Sequence, residues 1–381
     1  MQQAELFEIY RHLHQYPELA MEEFKTHEFL LNMVEKIKNN NWNVRTISDL
    51  PTAILVYIPG INPSKTIGYR TDIDALPVQE ATNIEFKSKN EGKMHACGHD
   101  LHMTVALGVL DYFAKNQPKD NLIFFFQPAE ESQNGGKIAY DLGVFEGKWK
   151  PDEFYALHDN PQLDTGVIGS RVGTLFAGTT EVDVELIGKS GHAAYPQNAR
   201  DMVVAGSEFI NQIQNIISRK FNPMDNAVIT FGKFESGSIR NVISGYTKIE
   251  GTIRALTQNQ IEYLQQQILQ VKKGIEILFD CEVKVKLNQG GYYPVENNFK
   301  LSTDFCNYME ENQNVNFEMM KPAMTGEDFG YLLNKFPGVM FWLGVSDPNN
   351  SLHSDKFLPN INAIASGINA ITGYLEHRME E

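Results

Sequence analysis

The residues Glu181-Val182-Asp183-Val184-Glu185-Leu186 alternate charged and apolar at every step. A side-chain period of two makes this a strand with one wet face and one buried face. Elsewhere the strands read differently. Leu122-Ile123-Phe124-Phe125-Phe126 is a continuous apolar run of strand length, which needs cover on both faces, as in a sheet layered between helices. One chain therefore carries two kinds of sheet. At 381 residues it also exceeds the usual reach of a single core, so two domains are expected.

Residues 4–38 read as helix broken at Tyr16-Pro17, with Phe24, Leu31, Val34 and Ile37 near helical spacing. Short apolar strands follow at Ala53–Ile58 and Thr66–Arg70, then a helix from Leu101 to Ala114 and the strand Leu122–Phe126. A short helix opens at Gly135-Gly136, and a further strand covers Glu153–Leu157. Buried strands alternating with helices predict an α/β layer around a central, mostly parallel sheet.

From residue 175 the pattern changes. The alternating strand precedes an amphipathic helix carrying Met202, Ala205, Phe209, Ile213 and Ile216. Strands at Ala227–Phe234 and Thr247–Ile253, a helix from Gln258 to Phe279, and a second alternating strand, Glu282–Leu287, complete the unit. That order predicts a four-stranded antiparallel sheet with two helices on one face. After residue 289 the α/β pattern resumes, with helices at Asn298–Glu310, after Thr325–Asp328 and at Ile361–Arg378, and a strand at Val339–Gly344. The expected organisation is an α/β domain of residues 1–174 and 289–381, interrupted by an α+β domain of residues 175–288.

Acidic residues outnumber basic ones by 48 to 33, a net charge of −15, which argues against a nucleic-acid or anionic-membrane surface. No run approaches the ~18 apolar residues of a membrane span. Met1–Glu5 has neither the basic nor the apolar region of a signal peptide. Cys97, Cys281 and Cys306 are widely spaced and odd in number, which suits a reducing cytosol better than a disulfide framework. A cytoplasmic protein is expected.

The chemistry concentrates in Met94-His95-Ala96-Cys97-Gly98-His99-Asp100-Leu101-His102 and in Gln127-Pro128-Ala129-Glu130-Glu131. The first gathers a thiol and imidazoles, and alternate residues of an extended segment would let Cys97 and His99 face one site. The second ends an apolar strand in two adjacent carboxylates, where ligands bind in open α/β sheets. Donors for a metal beside an acid that can take a proton from water are the parts of a metallohydrolase. Asp72 and Asp74 follow another strand, and one of them is placed to orient a metal-binding imidazole. His158 ends a strand as well, and His353 lies in a polar loop. By contrast His12, His14, His27 and His377 sit in helical, mixed-polarity contexts and read as solvent-facing. There is no dinucleotide fingerprint, phosphate-cradling loop, nucleophile elbow or Cys-x-x-Cys.

Over nearly its whole length the chain resembles the two-metal amidohydrolases related to aminoacylase, hippurate hydrolase and plant auxin-conjugate hydrolases. The resemblance rests on His14–Glu18, Arg70–Pro77, Met94–Asp100, Gln127–Glu131, Gly191-His192-Ala193-Ala194 and Gly326-Glu327-Asp328-Phe329. It implies a zinc-exopeptidase-like catalytic domain with the inserted domain as lid and dimerisation unit, giving a homodimer or tetramer. It implies two divalent ions (Zn, Mn, Co or Ni) held by Cys97, His99, Glu131, His158 and His353. Glu130 would be the general base and Asp72 the acid orienting the site. His192 would stabilise the oxyanion across a dimer interface, and Asn241 and Arg254 would hold the substrate carboxylate. In the wider family the residue two before the orienting Asp is often a metal-binding His. Here it is Arg70, with Cys97 as the compensating ligand. Ser132-Gln133-Asn134-Gly135-Gly136 also replaces a more glycine-rich stretch.

The implied reaction is hydrolysis of an N-acylated amino acid. Within the family, Asp201–Gly206 and Tyr292–Val295 point to an acetylated diaminopimelate. A broader aminoacylase, a hippurate hydrolase or a small-peptide carboxypeptidase is the alternative. A non-catalytic binding module would show loss of Glu130 or of two ligands, and neither is lost.

Overall fold

The computed structural model describes residues 1–380. They form two compact units, one of Met1–Leu175, Glu296–Lys321 and the chain from Tyr331 onward, the other of Phe176–Val295 and Pro322–Gly330. The second unit thus runs beyond the expected end at residue 288 and takes in a short return of the chain. Thr179 N donates to Tyr292 O (2.9 Å), Ala177 N to Ala323 O (2.9 Å) and Arg254 Nη1 to Met324 O (3.0 Å), which ties both additions to it.

The first unit is built on an eight-stranded sheet. Its order is Asn43–Ile47, Leu50–Ile58, Asn121–Gln127, Thr66–Asp72, Glu153–Asn160, Gly338–Gly344, Val167–Ser170 and Asn316–Met319. The four central strands, Asn121–Gln127 through Gly338–Gly344, run parallel. They are buried along almost their whole length, as continuous apolar runs require. Antiparallel partners flank them, Leu50–Ile58 on one side and Val167–Ser170 on the other. The strands that the sequence did not announce, Asn43–Ile47, Val167–Ser170 and Asn316–Met319, are short or of mixed polarity and lie toward the sheet margins. The parallel arrangement matters for the site. It brings Asp72, Gln127, the His158–Asn160 end and Gly344 to one edge of the sheet.

The second unit holds a four-stranded antiparallel sheet in the order Ala227–Ser236, Tyr246–Ala255, Gly178–Ile187, Glu282–Asn288. Val182, Val184 and Leu186, the apolar half of the alternating strand, pack with Phe209, Ile213, Ile261, Leu264 and Ile268 from the two helices. The helix Met202–Arg219 starts at Asp201, whose carboxylate accepts from Val203 N and Val204 N. The helix Gln258–Phe279 starts with a reciprocal cap between Thr257 and Gln260. A small ladder pairs Gly191–His192 with Val242–Ile243. Among the described residues no helix is long and apolar enough to cross a membrane.

Candidate metal centre

Three strand ends and one helix start supply the site. The helix His99–Lys115 begins at His99, and the preceding Gly98 has φ 74°, a left-handed conformation that favours glycine. Glycine is also required by space, since a Cβ there would lie 2.5 Å from the Asp159 carboxylate. Cys97 and His99 therefore converge through a tight turn and a helix start, not through the extended segment expected from the sequence. The turn is closed by Gly98 N donating to His95 O (3.4 Å). His95 itself is buried, with neither ring nitrogen hydrogen-bonded.

The predicted donors meet. Cys97 Sγ lies 3.5 Å from His158 Nε2 and 3.2 Å from His353 Nε2. His353 Nε2 lies 3.4 Å from Glu131 Oε1, and His99 Nε2 lies 3.9 Å from the same oxygen. The donor atoms of Cys97, His99 and His158 fall within 4.8 Å of one another, as do those of Cys97, Glu131 and His353 and those of His99, Glu130 and Glu131. His353 is half-exposed and has φ 67°. Its amide donates to Ala96 O (2.8 Å), which pins it beside the Cys97 turn.

Two hydrogen bonds choose the tautomers. His99 Nδ1 donates to Asp74 O (2.8 Å), and His158 Nδ1 donates to Asp159 O (2.9 Å). Each leaves an Nε2 lone pair turned toward the cluster, the arrangement usual for metal-binding imidazoles. Asp74 Oδ2 also accepts from Glu131 N (3.0 Å). Both acids of the Asp72–Asp74 pair are thus hydrogen-bonded beside the cluster. Asp72 accepts from His102 Nδ1 (2.6 Å) and Arg70 Nη1 (2.7 Å), and Arg70 Nε donates to Gln127 Oε1 (3.0 Å).

His102 and Asp159 were not singled out from the sequence. His102 Nε2 lies 3.0 Å from Asp159 Oδ1, so the ring bridges the ends of two parallel strands. The available signal was its spacing, three residues after His99 on the same helix face. His14 is a plain correction. Far from facing solvent, it is buried with Nδ1 2.6 Å from Asp100 Oδ2 and Nε2 3.3 Å from Glu80 Oε1. A helical, mixed-polarity context hides a histidine that distant carboxylates enclose.

The electrostatics call for cations. Burial pushes the Cys97 thiol well above its ordinary range, and Glu131, Asp159 and Glu130 push it further. Burial lowers the pKa of His99, but Asp72, Asp74 and Glu131 outweigh it and raise the value to about 10. Burial likewise opposes His102, and Asp72 and Asp159 raise it to about 9. Burial would raise Asp72, yet His99, His102 and Arg70 hold it well below the usual carboxylate range. His99 Nε2 and Glu131 Oε1 are buried without a hydrogen-bond partner, which is costly unless something else meets them. A soft sulfur, three imidazoles and carboxylates make a donor set that fits first-row divalent ions.

The other candidates lie in the second unit. His192 is exposed and pairs with Val242 in the small ladder, and Ala193 N donates to Asn241 O (3.1 Å), so Asn241 stands beside it. Ala194 N donates to His192 Nδ1 (3.1 Å), which leaves Nε2–H as an outward donor. Arg254 is half-buried, and its guanidinium donates to Thr179 Oγ1 (3.1 Å) and Met324 O (3.0 Å), with no carboxylate partner among the described residues. It sits at the far end of the strand Tyr246–Ala255, roughly 26 Å from the His192 end at ~3.3 Å per residue. Within one subunit the structure does not bring Arg254 together with His192 and Asn241.

A sequence model of peptidase family M20/M25/M40 matches residues 68–377. The chain is similar to N-acetyldiaminopimelate deacetylase of Lacticaseibacillus casei (strain BL23), 59% identical over the full length of both chains. It is 60% identical over 378 residues, 99% of each chain, to the protein of the same name in Limosilactobacillus reuteri (strain DSM 20016). Among solved structures it resembles a dinuclear metal binding peptidase of the M20 family from Bacillus subtilis. The TM-score is 0.87 and the identity 25%, covering 99% of this chain and 98% of that one. The chain belongs to peptidase family M20/M25/M40.

Proposed function

We propose that the protein is a metal-dependent amidohydrolase that cleaves N-acetyl-diaminopimelate to diaminopimelate and acetate. The observation that carries this reading is the convergence of Cys97, His99, Glu130, Glu131, His158 and His353 at one edge of the parallel sheet. The named relatives, similar over their full length, support the substrate. Cys97, His99, Glu131, His158 and His353 would hold two divalent ions. Bound there, the ions would polarise the acetyl carbonyl and lower the pKa of a water molecule.

Glu130 has the role of base. It takes the proton of the attacking water and delivers it to the departing amine, so that water and amide become acetate and free amino acid. Asp74 and Asp159 fix the rings of His99 and His158, and Asp72 is held by Arg70 and His102 so that its charge persists. His192 would donate through Nε2–H to the oxyanion, with Asn241 beside it, and Arg254 would take the substrate carboxylate. Their separation within one subunit exceeds the reach of an acylated amino acid. A homodimer through the second unit, with His192 and Asn241 serving the partner's site, accommodates both. Three free cysteines support a reducing, cytoplasmic location.

Glu130→Gln should lower kcat by about 100- to 10 000-fold with metal content unchanged, because only the base is lost. Glu131→Gln should instead lose metal. A Glu130→Gln enzyme with parental turnover and full metal would put the base elsewhere.

A further inference from the structure

Glu23 is a fully buried carboxylate that the chemistry above does not use. It lies just ahead of the helix Phe24–Ile37, and among the described residues no cation pairs with it. Its Oε1 accepts from Ala129 N (2.9 Å) and its Oε2 from Thr52 Oγ1 (2.8 Å). Burial and the nearby Asp74 push its pKa up to about 7, so placing a carboxyl group here carries a cost that an apolar residue would not incur.

What this carboxylate holds is unusual. Ala129 has φ 58°, in the left-handed region that costs a residue with a Cβ on the order of 1–2 kcal/mol. Ala129 O accepts from Gly135 N (3.1 Å), where glycine is required because a Cβ would lie 1.8 Å from Pro128 O. Two residues along, Glu131 N is held separately by Asp74 Oδ2 (3.0 Å). The loop is pinned at residue 131 by one strand end and at residue 129 by the amino-terminal segment. Glu130 lies between the two pins.

We propose that Glu23 is a positioning residue for the base: its hydrogen bond to the Ala129 amide holds that residue left-handed and so aims Glu130, while Glu131 keeps its place without it. The inference rests on Glu130 being the base.

The test measures kcat, KM and bound metal on the holoenzyme for Glu23→Ala, Glu23→Gln and Glu23→Ala with Ala129→Gly, beside Glu130→Gln. Glu23→Ala should lose about 10- to 100-fold in kcat, with KM and metal content near parental. Glu23→Gln keeps an acceptor for the amide and should stay within about three-fold of the parent. Glycine enters the left-handed region without the Cβ penalty, so adding Ala129→Gly should recover roughly 5- to 30-fold. Parental kcat in Glu23→Ala, with Glu130→Gln inactive, overturns the positioning role alone. Metal lost in step with activity, or no recovery on adding Ala129→Gly, reduces Glu23 to a merely structural role and also overturns it. An active Glu130→Gln overturns the underlying reading instead. Should Glu23→Ala not fold, Thr52→Val, which frees the other carboxylate oxygen, should lower kcat about 3- to 10-fold with metal retained. Parental kcat there overturns the proposal.

Discussion

Replacing His14 by Leu removes a buried cation and leaves Asp100 and Glu80 facing each other across its place. The size of the effect follows from two independent routes. Deleting one partner of a buried ion pair costs about 3–5 kcal/mol, because the remaining charge stays buried. By linkage, burial lowers the pKa of His14, but Asp100 and Glu80 outweigh it and raise the value to about 9. Against an unfolded value of ~6.5 this is worth ~3 kcal/mol. The sign follows from the direction of the shift. A folded-state pKa above the unfolded one gives stability that is complete below pH ~6.5 and fades as pH rises through about 9. Glu80 runs the other way. Burial would raise its pKa, but His14 and its other donors lower it, so its share is present above its ordinary range and fades toward acid. Urea unfolding of parent and His14→Leu, with metal removed so that only the protein's own groups titrate, measures the difference. The variant should be ~3 kcal/mol less stable at pH 6, and the gap should close to within about 1 kcal/mol at pH 10. A gap independent of pH, or one that widens with rising pH, would refute the reasoning.

Two further outcomes are expected. Cobalt(II)-loaded protein should show a sulfur-to-metal charge-transfer band in the near ultraviolet that disappears in Cys97→Ser and persists in Cys281→Ser and Cys306→Ser; a band unaffected by Cys97→Ser removes the thiolate from the donor set. His192→Ala should lower kcat by about 100- to 1000-fold with metal content unchanged, the loss of one oxyanion donor. Mixing it with inactive Glu130→Gln should then restore activity through hybrid dimers, and an inactive mixture with proven subunit exchange confines His192 to its own chain.

Much of this organisation was legible in the residues. Continuous apolar runs marked the central parallel strands, and strict alternation in Glu181–Leu186 marked the wet-faced sheet, because burial on two faces and on one face leave different patterns. Residue type marked the Cys97–His99 turn and the Glu130-Glu131 pair, whereas His158 and His353 were named through the family resemblance; the structure brings all of them close together. Orientation was harder. Gly98 turns the chain left-handed against Asp159, so Cys97 and His99 meet by a route that no periodicity encodes. His102, His14 and Glu23 act through partners 29 to 106 residues away, and local sequence carries no mark of such pairings. The second-unit boundary failed for a similar reason. Pro322–Gly330 joins that unit through backbone hydrogen bonds to Ala177 and to the Arg254 side chain, which its own composition does not announce.

The central claim is a metal-dependent deacetylase acting on N-acetyl-diaminopimelate, and one comparison tests it most directly. The purified enzyme would be assayed on N-acetyl-diaminopimelate and on an N-acetylated aliphatic amino acid of equal length, before and after chelation and metal return. An enzyme selective for diaminopimelate should favour it by roughly 10 000-fold in kcat/KM, the discrimination that pairing of a distal ammonium and carboxylate provides, with activity lost on chelation and recovered with divalent metal. Rates on the two substrates within about tenfold would mean a broad aminoacylase, and full activity after verified metal removal would contradict the mechanism itself.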